Sequence, residues 1–133
     1  MYAADAVQAA IYAALDGQIP GAVYDHVPPG TAMPYTVIGE LTEVPADTHD
    51  RDGAELTATL HVWSAATGTR EVNEILAAID ARLHHVQLPA AAGVRIVHTE
   101  REMTEIMRDE DITTGRPLRH AVVRYRLSVE EAP

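Results

Sequence analysis

The first apolar rhythm along the chain has a helical period. Val7, Ile11, Ala14 and Leu15 recur at three- and four-residue spacing, which predicts a helix over residues 3–15. Gly17 and Pro20 end it. Its outer face is mostly Ala, with Asp5 and Gln8 as the clearest polar positions, so it is expected to pack on two sides, a neighbouring subunit being one candidate. Val23 to Val27 read as extended chain, and Pro28-Pro29-Gly30 as a stiff turn. Pro34 then opens a strand in which Tyr35, Val37 and Leu41 alternate with Thr36, Glu40 and Thr42, until Pro45 stops it.

Residues 45–53, PADTHDRDG, have no periodicity and read as a mobile loop or a long hairpin tip. Next comes a clean alternation over Glu55 to Ser64. Leu56, Ala58, Leu60 and Val62 share one face, and Glu55, Thr57, Thr59, His61 and Trp63 the other, as in an antiparallel strand covered by helices on one side. Thr67 to Val86 predicts a second helix, with Val72, Ile75, Leu76, Ile79, Leu83 and Val86 as its apolar stripe. Thr69 is its expected N-cap, Glu71 suits the first turn, and His84 and His85 fall in the last turn, where the helix dipole favours cations. Pro89 and Gly93 turn the chain. Val94 to Met107 reads as a long strand with a bulge near Glu100 to Met103, residues 108–117 as a turn, and Arg119 to Val129 as the last strand. In that last strand Ala121, Val123, Tyr125, Leu127 and Val129 point inward, and the tail, residues 130–133, is expected to fray.

The order helix, two strands, helix, two strands predicts an α+β fold. It is a two-layer sandwich with a mostly antiparallel four-stranded sheet and both helices on one face, in one domain over residues 1–133. Composition narrows the function. Of the 133 residues, 47% are hydrophobic and 23% charged, which excludes disorder over the whole length. Cysteine is absent, so disulfides, thiolate nucleophiles and Cys-ligated metal centres are excluded. Twenty acids against ten bases, all of them Arg, leave a net charge of −10, which repels nucleic acid and anionic membranes at long range. No apolar run approaches the roughly 20 residues of a membrane span. The N-terminus carries an acid and no base, unlike a signal peptide, so use in a cytoplasm is expected.

Helices on one side leave the other sheet face to be explained. Glu55, Thr57, Thr59, His61, Trp63, Arg124 and Arg126 fall on it, and Trp and Arg are the types enriched at interface hot spots. A solvated face and a subunit contact both fit this inventory. Known catalytic patterns are missing: there is no phosphate-binding loop, GxSxG elbow or HExxH, and only Ser64 and Ser128 represent serine. Asp50-Arg51-Asp52-Gly53 lacks the remaining ligands of a calcium loop. His84 and His85 point about 100° apart on a helix and suit a helix end better than a shared metal. His49 among its acids reads as solvated, His61 and His120 as a cross-strand polar pair, and Asp109-Glu110-Asp111 as a solvated turn.

Four stretches together resemble a known group. They are VYDHVPPGTAMPYTVIGE (23–40), DGAELTATLHVWS (52–64), REVNEILAAIDARLH (70–84) and RDEDITTGRPLRHAVVRYRL (108–127). In content and order the chain is similar to the tail terminator, or tail-completion, proteins of long-tailed phages, prophages and gene transfer agents, which share the role of the phage lambda minor tail protein U. The resemblance implies a structural virion or particle protein, assembled in a bacterial cytoplasm. Such a protein forms a ring, usually of six copies, that caps the tail tube, stops its polymerisation and offers a joint to the head. It implies no enzymatic activity, no cofactor and no metal. Its partners would be further copies of itself, the tail tube protein and a head–tail connector or stopper protein, with DNA passing through the lumen without specific binding.

A closed ring needs two unlike patches on each subunit. The Ala-rich first helix and the face carrying Trp63, Arg124, Arg126, Glu55 and His61 are the candidates. Axial partners would meet the loop with Asp47, His49, Asp50 and Arg51 and the turn with Asp109, Glu110 and Asp111. Two other readings remain open. One is another neck or head-closure component. The other is a small cytoplasmic enzyme or ligand-binding domain using His61, His120 and Arg126, which would need a deep pocket lined by those residues.

Overall fold

A computed structural model describes residues 1–89 and 91–132. The elements run α1 (Ala4–Leu15), β1 (Ala22–Tyr24), β2 (Tyr35–Pro45), β3 (Gly53–Ser64), α2 (Arg70–Leu83), β4 (Val94–Glu110) and β5 (Pro117–Glu131). The strands form one sheet in the order β1-β2-β3-β5-β4. Class and element order are those the hydrophobic pattern predicts, but the sheet is mixed and has a fifth strand. β1 is the extended segment expected near Val23, reduced to three residues and paired parallel to β2. Three residues are too few for alternation to mark them as a strand. The other pairings are antiparallel.

Both helices pack on one sheet face. Val7, Ile11 and Leu15 of α1 and Val72, Ile75, Ile79 and Leu83 of α2 are fully buried against Leu56, Leu60, Val62, Tyr125 and Leu127. Each such aliphatic side chain contributes about 1.5–3 kcal/mol on burial. The buried Tyr125 hydroxyl donates to Asp80 Oδ1 at 2.8 Å, which satisfies the one polar atom this ring brings into the core.

Four local expectations are corrected. Along the first half of β2 the phase is reversed: Thr36 and Ile38 are buried, whereas Tyr35 and Val37 face away from the helices. An irregularity between Ile38 and Leu41 then returns Leu41 to the core side. α2 stops at Leu83 rather than Val86. His84 is extended (φ −69°, ψ 117°), and His85, at φ 56°, swings the chain onto the outer edge of β4. There the His85 N–H donates to Thr99 O at 2.8 Å and the Gln87 side chain to Ile96 O at 2.7 Å. Val86 is consequently exposed, and the two His lie beyond the helix. Thr69 stands at the N-cap, but its side chain makes no capping bond. Finally, Glu130 and Glu131 are strand residues. Glu130 pairs with Arg51 and Arg95, and the Ala132 N–H donates to Gly93 O at 2.7 Å, so the chain is tied down as far as residue 132. Pro133, also expected to fray, lies outside the described residues.

β4 and β5 form a long hairpin. Its turn shrinks to residues 111–116, where Asp111 Oδ1 accepts the Thr113 and Thr114 N–H groups and Gly115 adopts φ 70°. The bulge expected between Glu100 and Met103 is present, as a register shift between Arg101 and Met103, and a second lies between Ile96 and His98.

Candidate functional site

The uncovered sheet face carries the residues singled out for assembly. Register sets Glu55 opposite Ser128, Thr57 opposite Arg126, Thr59 opposite Arg124 and Trp63 opposite His120. Glu55 accepts a hydrogen bond from the Ser128 hydroxyl at 2.8 Å, and Arg126 is held to Glu100 of the neighbouring β4 at 2.6 Å. These charges therefore have partners within the chain. Arg124 makes no ion pair among the described residues.

At one end of this face the rings stack. The Trp63 indole lies on the His120 imidazole at 3.8 Å between centroids and 8° between planes. His61 and His120 are diagonal rather than opposite, yet their facing nitrogens, Nδ1 and Nε2, are 2.9 Å apart, so one donates to the other. The remaining His61 nitrogen, Nε2, faces Glu40 at 3.3 Å. The β2 irregularity brings Glu40 there, and Gly39 makes room, since a Cβ at that position would meet His61 Cδ2 at 2.8 Å. Burial, and then the neighbouring His61, hold the His120 pKa below its ordinary value, with Asp109 pulling the other way. Hydrogen bonds to its carboxylate, from backbone first and His61 second, hold Glu40 low.

The stack borders a cleft of about 340 Å³ lined by Met33, Tyr35, Trp63, Ile112 and Leu118, with Asp109, Glu110 and Asp111 at its rim. An apolar floor with an acidic rim can receive a side chain from another protein. On the far side of the molecule, Ala9, Ala13 and Ala14 of α1 line an apolar hollow of about 370 Å³ with Pro89 and Ala91. Chemistry has less support. Ser64 is fully buried and bonded to Glu71, and Ser128 to Glu55, so no serine is poised against the His pair. A groove of about 620 Å³ lies between α2 and β4, lined by Leu76, Asp80, His84, Arg101, Thr104 and Ile106 among others, away from His61, His120 and Arg126.

The two polar loops lie at opposite ends of the sheet. β3 runs from Gly53, opposite Glu130, to Ser64, opposite Arg119, so the 46–52 tip and the 111–116 tip are separated by the length of this ladder, about 40 Å for twelve residues. Asp47 Oδ1 accepts the Gly53 N–H at 3.0 Å, and Arg51 reaches Glu130, which makes the first tip a structured hairpin end carrying His49 and Asp50. Sequence reasoning passed over His98 and Glu100, which the first β4 bulge brings beside His85. Their spacing carries no recognisable motif, because His85 comes from the segment after α2 and meets them only through its N–H bond to Thr99 O.

Comparison with known proteins adds two findings. A family model described as "Tail completion protein gp17" matches residues 1–130. Among solved structures, a chain of the "Virion of native gene transfer agent (GTA) particle" is similar over 98% of this chain and 99% of its own, with a TM-score of 0.80 and 27% sequence identity. Among curated proteins, none matches.

Proposed function

Since the chain belongs to the tail completion protein gp17 family, we propose that it is a structural component of a phage-type tail that closes the finished tube as a ring. In this reading six copies form the annulus, stop tube polymerisation and join the tail to the head side, in a particle of the gene transfer agent or phage type. The observation that carries the axial part is the opposition of the two hairpin tips. A ring between two partners needs one contact surface above and one below, and the sheet holds the 46–52 and 111–116 tips at its two ends.

Lateral contact has matching support. Ring contacts are heterologous, so each subunit needs two unlike patches on different sides. The Ala-lined hollow lies in the helix layer and the Trp63 cleft on the opposite sheet face. A net charge of −10 per copy suits a lumen through which DNA slides, since a basic lining would hold phosphates by counterion release. No catalytic step is assigned.

The reading is tested by native mass measurement and by electron microscopy of tubes assembled with and without the protein. Closed rings and tubes of arrested length, with density at one axial height, are expected. A chain that stays monomeric beside tube ends, and leaves tube length unchanged, overturns the ring. Density only on the head side of the connector reassigns the chain to head closure. Retention on DNA at low salt counts against a slippery lumen.

A further inference from the structure

β4 breaks its regular pleat at Val97, where register with β5 shifts between Ile96 and His98. Beyond the bulge His98 pairs with Ser128 and Glu100 with Arg126, so both side chains stand on the uncovered face. The chain leaving α2 lies alongside, fixed by the His85 N–H to Thr99 O bond between the two. His98 Nε2 lies 3.2 Å from Glu100 Oε2, and His85 Nε2 lies 4.0 Å from the same oxygen. The three ligand atoms fall within 4.8 Å of one another. We propose that His85, His98 and Glu100 form a site for a zinc-class divalent cation, with water completing its coordination.

Two imidazoles and a carboxylate are the donor set that borderline cations such as zinc favour over magnesium or calcium. With metal–ligand bonds near 2.0–2.2 Å, tetrahedral neighbours sit about 3.3–3.6 Å apart. His98 and Glu100 stand close to that spacing at 3.2 Å, and His85, an exposed side chain 4.0 Å from Glu100, would have to move in to meet it. The groups around the trio orient it as outer partners orient metal ligands. Arg126 occupies Glu100 Oε1 at 2.6 Å, which leaves Oε2 for the cation. His84 stacks on His85 at 3.9 Å between centroids, and its own Nδ1 accepts the Arg101 N–H at 2.9 Å. The strained positive φ of His85 turns this residue onto β4. A cation here ties the segment leaving α2 to the outer strand, beside the Arg101–Asp80 ion pair that already joins α2 to β4.

The test is calorimetric titration of the untagged full chain with zinc chloride at pH 7.5, alongside thermal unfolding. One zinc per chain is expected, with a rise in Tm that EDTA reverses. His98→Ala and Glu100→Gln should each weaken binding at least about tenfold while leaving the metal-free circular dichroism unchanged, and His49→Ala should bind as the parent does. Absence of saturable heat overturns the site. So does zinc binding that survives both His98→Ala and Glu100→Gln, or that is lost equally in His49→Ala.

Discussion

The carboxylate of Glu43, on β2, receives the backbone N–H groups that open α1: that of Ala3 at 3.0 and 3.1 Å and that of Ala4 at 2.9 Å. Ala3 has no side-chain acceptor of its own, so the cap comes from a strand 40 residues away in sequence, with its negative charge at the positive end of the helix dipole. Glu43→Ala should therefore lower the unfolding free energy by about 1–2 kcal/mol, the usual cost of losing a cap. Urea denaturation measures it, and an unchanged midpoint at unchanged slope shows that solvent serves those amides equally well.

Ile79 is fully buried at the centre of the α2 stripe. Ile79→Asp sets a carboxylate among apolar side chains at a cost of several kcal/mol, comparable with the whole stability of a small domain. The variant should be unfolded by circular dichroism, whereas Ile79→Val should cost only about 0.5–1.5 kcal/mol. A folded, soluble Ile79→Asp protein contradicts the helix phase.

Trp63 is half-buried, stacked on His120 and open to the cleft. If the cleft receives a neighbouring copy, Trp63→Ala removes a hot-spot side chain. Ring dissociation should then rise by at least about thirtyfold, the equivalent of about 2 kcal/mol. The monomer should stay folded. Native mass spectrometry over a dilution series reads the change, and unaltered assembly removes Trp63 from the contact.

The His pair predicts a dependence on pH. The His120 pKa is lowered in the folded chain, so below the ordinary value of 6.5 the unfolded chain takes up a proton that the native one resists. Stability from this group is thus intact above pH 6.5 and declines as pH falls below it toward the folded pKa. Between pH 7.5 and 5.5 the parent's Tm should drop more than that of His120→Asn. Parallel curves assign the drop to other groups.

Periodicity carried the two helices and the β3 and β5 strands because Leu56 to Val62 and Val72 to Leu83 repeat at 2.0 and 3.6 residues without interruption. It failed where one backbone event overrode side-chain pattern. The β2 irregularity reversed Tyr35 and Val37, and the turn at His85 removed Val86 from the stripe. Neither event has a sequence signature, since Gly39 reads as an ordinary strand interruption and His85 is not a residue that favours positive φ as glycine does. Of the site, alternation located Trp63, His61, Arg124 and Arg126 on the uncovered face. It could not supply Glu40 or the Arg126–Glu100 pair, which depend on register across strands distant in sequence.

The outer margin of β4 has a bearing on how copies avoid one another until wanted. Crowded protein with an unpaired ladder along 17 residues would invite endless stacking, strand upon strand. Here His84, His85 and Gln87 already occupy the backbone or side-chain positions along Ile96 to Arg101, two kinks interrupt the ribbon, and Glu105, Arg108, Asp109 and Glu110 stud the remainder. At the other flank β1 offers just three residues and covers only Tyr35 to Val37 of β2. The β4 border is thus a poor template for strand addition, and the proposed ring would draw on side-chain surfaces instead.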